Sequence, residues 1–239
     1  MDLLIGEAFS PWTRKARWAL DYCGVRYRYR EYTPLLGEPW LRMKLGQWRG
    51  TVSVPVLLVG AGAVRGSFEI ARHAARIADD GRLGDFDAIR SWDDISESGL
   101  AAARTRVVRA IAGNGDALDE SVRGIPGVLK PVSRALTRSV VNAIDRKYAH
   151  LARPDAHPHA LLALRKGLQD SGTGFLLESF SYADITMSSL LDAASPAPDV
   201  PHPGEAHRKC WTNDALALEF ADLLEWRDGL RRYRAPQTI

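Results

Sequence analysis

Cysteine is scarce in this 239-residue chain: only Cys23 and Cys210 occur, far apart and in no metal-binding or redox spacing. That excludes a disulfide framework and a cysteine-based metal knuckle, and it fits two reduced thiols in a cytoplasmic protein. Long apolar runs are missing as well. None approaches the ~20 residues that a membrane span needs. The opening MDLLIGEAF has neither a basic lead nor an apolar stretch suited to a signal peptide. Basic blocks are absent too: 32 Lys and Arg against 29 Asp and Glu leave a charge of +3, spread along the chain. A nucleic-acid binder concentrates its cations on one face, so neither nucleic acid nor membrane is an expected partner. The histidines of DAHPHA and VPHPGEAH lie in proline-rich loops without helix-spaced partners, so no metal is expected. There are no internal repeats and no low-complexity tract.

What is present is the composition of an ordinary soluble globular protein, 46% hydrophobic and 26% charged, long enough for one large domain or two modest ones. The first eighty residues alternate strand and helix signals. LLIGEA reads as a short buried strand. Pro11 to Cys23 predicts a helix: proline is tolerated in the first turn, Ala16, Trp18, Ala19, Leu20 and Cys23 form an apolar surface, and Gly24 ends it. VRYRYREY alternates with period two, as a half-buried strand does. A short helix is expected over Pro39–Leu45, then VSVPVLLVG and AVRG as strands around a GAG turn. Ser67 is expected to cap a helix reaching Ile77.

From Asp85 onward the strand signal almost vanishes. Helical patterns cover Ala88–Ala112, Val132–Ala149, His159–Asp170, Tyr182–Ala194 and Asp214–Tyr233. Two Gly/Pro-bearing stretches, GNGDALDESVRGIPGVLKP and SPAPDVPHPGEAH, interrupt them; the first is long for a bundle connection and reads as a partly helical insertion or a cover. The expected architecture is an α/β domain of order βαβ-α-ββα over 1–78, a linker over 79–86 and an all-α helical bundle over 87–239.

Three stretches carry a resemblance to a known family. FSPWTRKARWAL matches an S/C-P-F/Y-x-x-K/R-x-R pattern at the start of a first helix. VSVPVLLVGAGAVRGSFEIARHA matches a V-P-V-L strand, turn, strand and helix start. FLLESFSYADITMSSLL matches an S-x-x-D-I box. In this order they resemble the glutathione S-transferase superfamily, which joins a thioredoxin-like domain to an all-α domain. The resemblance implies glutathione as co-substrate, a small hydrophobic electrophile as second substrate, and a homodimer.

Each motif also has its own physics. Ser181 and Asp184 have the spacing of a capping box, with Phe180 and Ile185 as its staple; this is structural, about 1–2 kcal/mol of helix entry. Val54-Pro55 stands in an apolar strand where a missing N–H is penalised. Either it is an edge-strand proline, or, as the resemblance implies, a cis peptide that frees the Val54 backbone for a peptide-like ligand. Ser67, at the start of a helix, is either a plain N-cap or, by the resemblance, a contact for the γ-glutamyl carboxylate.

Ser10 is either a helix cap or, at the family's serine or cysteine position, a hydrogen-bond donor to the glutathione thiolate. A serine is too weak an acid to be a base at neutral pH. Bringing a thiol from pKa about 8.5 down by two units needs roughly 2.7 kcal/mol, the order one charge-assisted hydrogen bond and a helix dipole supply. Trp12 and Arg14 flank this site. The pattern departs from the family at Gly66, where an acidic residue holds the ligand's α-amino group, and at Ser53, where a basic residue precedes V-P-V-L. Arg49, Gln47 and Arg65 are the candidates to compensate. Glu69 is expected on a solvated face, Trp92 and Arg104 toward the cleft, and the small-residue stripe Ser96, Gly99 and Ala103 at a close helix contact, in the bundle or across a dimer. Two functions follow: a glutathione-dependent transferase, or a non-catalytic protein that keeps the fold to bind a protein partner.

Overall fold

The computed structural model describes residues 1–34, 37–121, 135, 137–139, 141–142, 153 and 155–234. Strand β1 (Asp2–Gly6) leads to helix α1 (Pro11–Tyr22), β2 (Tyr27–Glu31), α2 (Glu38–Leu45), β3 (Val56–Val59), β4 (Gly62–Arg65) and α3 (Ser67–Ala78). The sheet order is β2-β1-β3-β4, with β1 and β2 parallel and the other pairs antiparallel. This is a thioredoxin-like arrangement. Period-two alternation sorts its core: Leu4 and Leu57 meet α1 and α3 on one face, while Ile5 and Val56 meet Leu41 of α2 on the other. Ser67 is the first residue inside α3 and Gly66 occupies the N-cap position, so the observed cap lies one residue before the expected one.

The rest of the described chain is helical. Helix α4 (Phe86–Gly113) runs roughly 42 Å and is followed by α5 (Gly115–Ser121), α6 (Ala156–Ser171), α7 (Tyr182–Ser188) with a 3-10 turn over Ser189–Ala193, and α8 (Glu205–Trp211). The predicted helix Val132–Ala149 lies mostly outside the described residues. Helices α5 and α8 fall at the two Gly/Pro-bearing stretches; Asn114 caps α5 by accepting from the Asp116 and Ala117 N–H groups.

The pattern read as one helix over Asp214–Tyr233 is three pieces: α9 (Asp214–Glu219), α10 (Ala221–Gly229) and a 3-10 turn over Leu230–Tyr233. Phe220, fully buried, leaves helical geometry at φ −112° and ψ 33° and breaks the run.

Small residues set the packing of α4. A Cβ on Gly99 would lie 2.6 Å from Leu190 and 2.9 Å from Ala160, and the Ser96 hydroxyl donates to the Thr186 carbonyl at 2.8 Å. The stripe therefore closes the inside of the bundle. Trp92 also turns there, against Gly167 of α6. At the entry to α7, the Ser181 hydroxyl accepts from Ala183 N–H, and the Asp184 carboxylate accepts from the N–H groups of Ser181 and Leu176. Burial pushes Asp184 up to about 6, against the hydrogen bonds that hold it down.

Candidate functional site

A cleft of about 960 Å³ opens between the sheet domain and α4. Its sheet-domain wall is built from ends of elements. The turn from β1 into α1 supplies Glu7, Ser10 and Trp12; the approach to β3 supplies Ser53, Val54 and Pro55; β4 and α3 supply Arg65, Gly66, Ser67 and Glu69. The helical wall is one face of α4, with Arg90, Asp93, Glu97, Ala101 and Arg104 at spacings of three and four residues and Ser98 beside Glu97, joined by Arg153.

The β1–α1 turn is tightly held. Gly6 allows it, because a Cβ there would fall 2.4 Å from Thr13 Oγ1. Thr13 Oγ1 accepts from Glu7 N–H at 3.2 Å, Ser10 N–H donates to the Glu7 carbonyl at 2.9 Å, and the Gly6 carbonyl accepts from Tyr32 N–H and the Tyr29 hydroxyl. Ser10 occupies the N-cap position of α1 with extended backbone (φ −68°, ψ 127°), yet its hydroxyl makes no capping hydrogen bond. The side chain is buried except toward the cleft.

The Val54–Pro55 peptide is cis, and Pro55 passes its carbonyl to Gly66 N–H at 3.0 Å. Gly66 has φ +81°, a conformation that side-chain-bearing residues avoid, and a Cβ there would meet open space. The first turn of α3 thus starts at the cleft with Ser67 lining it. Arg65 hydrogen-bonds the Gln47 side chain, and Gln47 in turn donates to the Arg49 and Thr51 carbonyls.

Ser10, Trp12, Val54, Pro55, Gly66 and Ser67 share the cleft; Arg14 and Arg49 are not among its lining residues. Arg14 points away, toward Asp192 at 3.6 Å and Asp199 at 3.5 Å. Glu69 lines the cleft and pairs with Arg72 at 2.8 Å and Arg90 at 3.9 Å. Arg104 lies over the Trp12 ring, 4.9 Å from its centroid.

Sequence reasoning missed two features. The first is Lys15, wholly buried behind the cleft, with its ammonium 2.6 Å from Glu97, 3.3 Å from Asp93 and 3.0 Å from the Thr186 hydroxyl. Glu97 also accepts from the Trp12 indole at 2.7 Å, tying the two walls together. Its signal was a lysine amid the apolar face of α1 and two acids four apart on a small-residue helix. The second is Glu7, a carboxyl on the cleft wall beside Glu31, which the parallel register sets opposite Gly6. Burial and then the Glu31 charge push Glu7 up to about 7.

The other titratable groups behave structurally. His157 donates from its ring Nε2 to the Leu190 carbonyl at 3.0 Å, and burial pushes it down to about 4. His202 and His207 meet Nδ1 to Nδ1 at 3.2 Å beside Phe9 and Trp211. Among the described residues no group of three or more His, Cys, Asp or Glu could hold a metal, and no helix is long and apolar enough to cross a membrane. Both cysteines are buried free thiols, and burial pushes Cys23 up to about 11.

Residues 9–77 match the family described as glutathione S-transferase, N-terminal domain. No curated protein sequence matches the chain. Among solved structures, a glutathione transferase from Phanerochaete chrysosporium aligns with a TM-score of 0.60 at 15% identity, over 99% of this chain and 98% of that one. A glutathione S-transferase of Ceriporiopsis subvermispora, solved in complex with glutathione, aligns at 0.59 with 18% identity over 100% and 99%. A maleylacetoacetate isomerase from Anaeromyxobacter dehalogenans, with bound glutathione in its active site, aligns at 0.54 with 16% identity over 97% and 90%.

Proposed function

We propose that this chain, whose residues 9–77 match the glutathione S-transferase N-terminal domain family, is a glutathione-dependent transferase whose thiolate is stabilised by Ser10. One observation carries the reading: a serine hydroxyl at the N-terminus of α1, not spent on capping, opens into the same cleft as Val54, Pro55 and the first turn of α3. The solved relatives with glutathione bound support the ligand.

In this reading the tripeptide lies extended along Val54. Its γ-glutamyl carboxylate meets the α3 N-terminus at Ser67, where unpaired N–H groups and the helix dipole favour an anion. Arg65, lining the cleft and tied to Gln47, takes the glycyl carboxylate in place of the basic residue missing at Ser53. The sulfur rests at Ser10. A hydroxyl donor and the α1 dipole together supply the roughly 2.7 kcal/mol that converts most of a bound thiol to thiolate at pH 7. The second substrate lies between Trp12 and the α4 face. Addition, substitution, isomerisation and peroxide reduction all begin from this same thiolate.

Calorimetric titration of the wild type and Ser10→Ala with reduced glutathione tests the reading. Binding at micromolar to low-millimolar concentration is expected in the wild type, with a thiolate absorbance near 240 nm that the variant loses. The absence of heat at high millimolar glutathione refutes it and favours the second reading, a non-catalytic partner-binding protein. That alternative draws on Gly66 and Ser53, where two polar ligand contacts of the family are missing.

A further inference from the structure

A serine that stabilises a thiolate donates a hydrogen bond and cannot also accept the thiol's proton. We propose that the Glu7 carboxylate is the acceptor of that proton, an inference that rests on glutathione binding as described above. Glu7 and Ser10 belong to one turn, closed by the 2.9 Å hydrogen bond from Ser10 N–H to the Glu7 carbonyl, and both line the cleft. The turn is fixed from behind. Thr13 holds Glu7 N–H, and the Glu31 carboxylate holds Ala8 N–H at 3.1 Å while accepting from the Tyr29 hydroxyl at 2.6 Å.

The charged and titratable neighbours explain why a proton is welcome there. From β2, Glu31 stands beside Glu7, and Tyr29 is held in its neutral form by burial and by its bond to Glu31. From α1, Arg17 lies over the Tyr29 ring, 4.8 Å from its centroid, and not on the cleft. From α2, Glu38 lines the same cleft, but Arg42 pairs with it at 2.7 Å, so Glu31 is the carboxylate that bears on Glu7. A second carboxylate beside a first is relieved when one of them is protonated. With Glu7 near 7, its proton affinity is matched to a thiol brought into the same range.

In the step, the S–H bond breaks and its electron pair stays on sulfur. The proton bonds to a Glu7 oxygen, directly or through one water, and Ser10 donates to the new thiolate. The neutral acid beside the thiolate avoids a like-charge clash. It later returns its proton to solvent or to the atom that thiolate addition leaves anionic.

The test counts protons. Reduced glutathione is titrated into the protein at pH 7.5 in phosphate and in Tris, whose different ionisation enthalpies reveal how many protons leave per ligand bound. Because Glu7 takes up what the thiol loses, Glu7→Gln is expected to release more protons than wild type, by roughly half a proton or more. S-methylglutathione, which has no thiol proton, is expected to erase that difference. Glu31→Gln, which weakens Glu7 as a base, is expected to move the count in the same direction and decides the matter if Glu7→Gln does not fold. Equal counts in wild type and variants, with glutathione still bound and the 240 nm band present, overturn the role of Glu7 and leave the binding reading standing. Absence of glutathione binding to the wild type overturns the binding reading itself.

Discussion

Arg14 and Lys15 are neighbours on α1, yet they stitch the sheet domain to the helical domain on opposite sides. Lys15 turns behind the cleft, where Glu97, Asp93 and Thr186 leave no part of its side chain exposed, although Glu97 itself opens to the cleft. Arg14 turns the other way, into a larger network: buried Asp192 is shared with Arg227 at 3.3 Å, and the more open Asp199 is shared with Arg231 and Arg234. A helix turns about 100° per residue, so adjacent cations reach different partners. The first network has one cation for two carboxylates; the second has more cations than carboxylates, and Arg14 Nη1 is buried without a hydrogen-bond partner among the described residues. The lesson is about redundancy. Asp192 keeps a second cation if Arg14 goes, whereas among the described residues Lys15 is the one cation paired with Asp93.

That contrast is easiest to break at Lys15. Lys15→Met leaves two carboxylates facing each other at a buried seam and is expected to cost about 3–5 kcal/mol in urea unfolding, with part recovered by adding Glu97→Gln. Arg14→Gln is expected to cost only about 1 kcal/mol in the same measurement, because Arg227 remains on Asp192. Equal losses would erase the distinction between the two seams.

The two networks also answer pH at opposite ends. Burial alone would lower Lys15, but the Glu97 and Asp93 carboxylates more than reverse it and hold the ammonium above its ordinary 10.5. A raised lysine contributes fully below 10.5, and its contribution fades as pH climbs through the higher folded value. The stability gap between wild type and Lys15→Met should therefore narrow above pH 10.5. Burial favours the neutral acid at Asp199, but Arg14 and Arg234 outweigh it and hold the group below its ordinary 3.8. A lowered acid contributes above 3.8 and stops contributing as pH falls through the lower folded value. Thermal unfolding of Asp199→Asn should differ slightly from wild type at pH 6, and the difference should shrink only as pH falls well below 3.8.

A smaller effect separates the cleft from both seams. Glu7 carries a proton more readily folded than unfolded, so its contribution is greatest below 4.5 and is lost as pH rises through about 7. Glu7→Gln removes that loss and should raise the melting temperature at pH 8 while leaving it nearly unchanged at pH 4.

Much of this was readable from residue order. The βαβ-α-ββα succession followed from strand and helix periods, and Val54-Pro55 was marked by a proline inside an apolar run. What escaped had identifiable physical causes. A continuous apolar rhythm through Leu216, Phe220, Leu223 and Leu224 hid the break at Phe220, because a buried aromatic satisfies the helical period whether or not its backbone is helical. Arg14 stands beside Ser10 in sequence, yet its rotation about α1 carries it to Asp192 and Asp199 at the seam between the two parts of the chain. Glu7 became visible only with the register of β1 against β2, which no single segment contains.

The far end of the described chain folds back onto its beginning. The Trp18 indole of α1 donates to the Tyr233 carbonyl at 3.2 Å, and the Tyr233 ring stacks on Phe180 with centroids 4.2 Å apart. A tag, fluorophore or surface tether placed just before that final turn would therefore tug on the helix whose leading end bears Ser10. Immobilising the protein through Met1, which is 82% exposed, leaves this clasp alone.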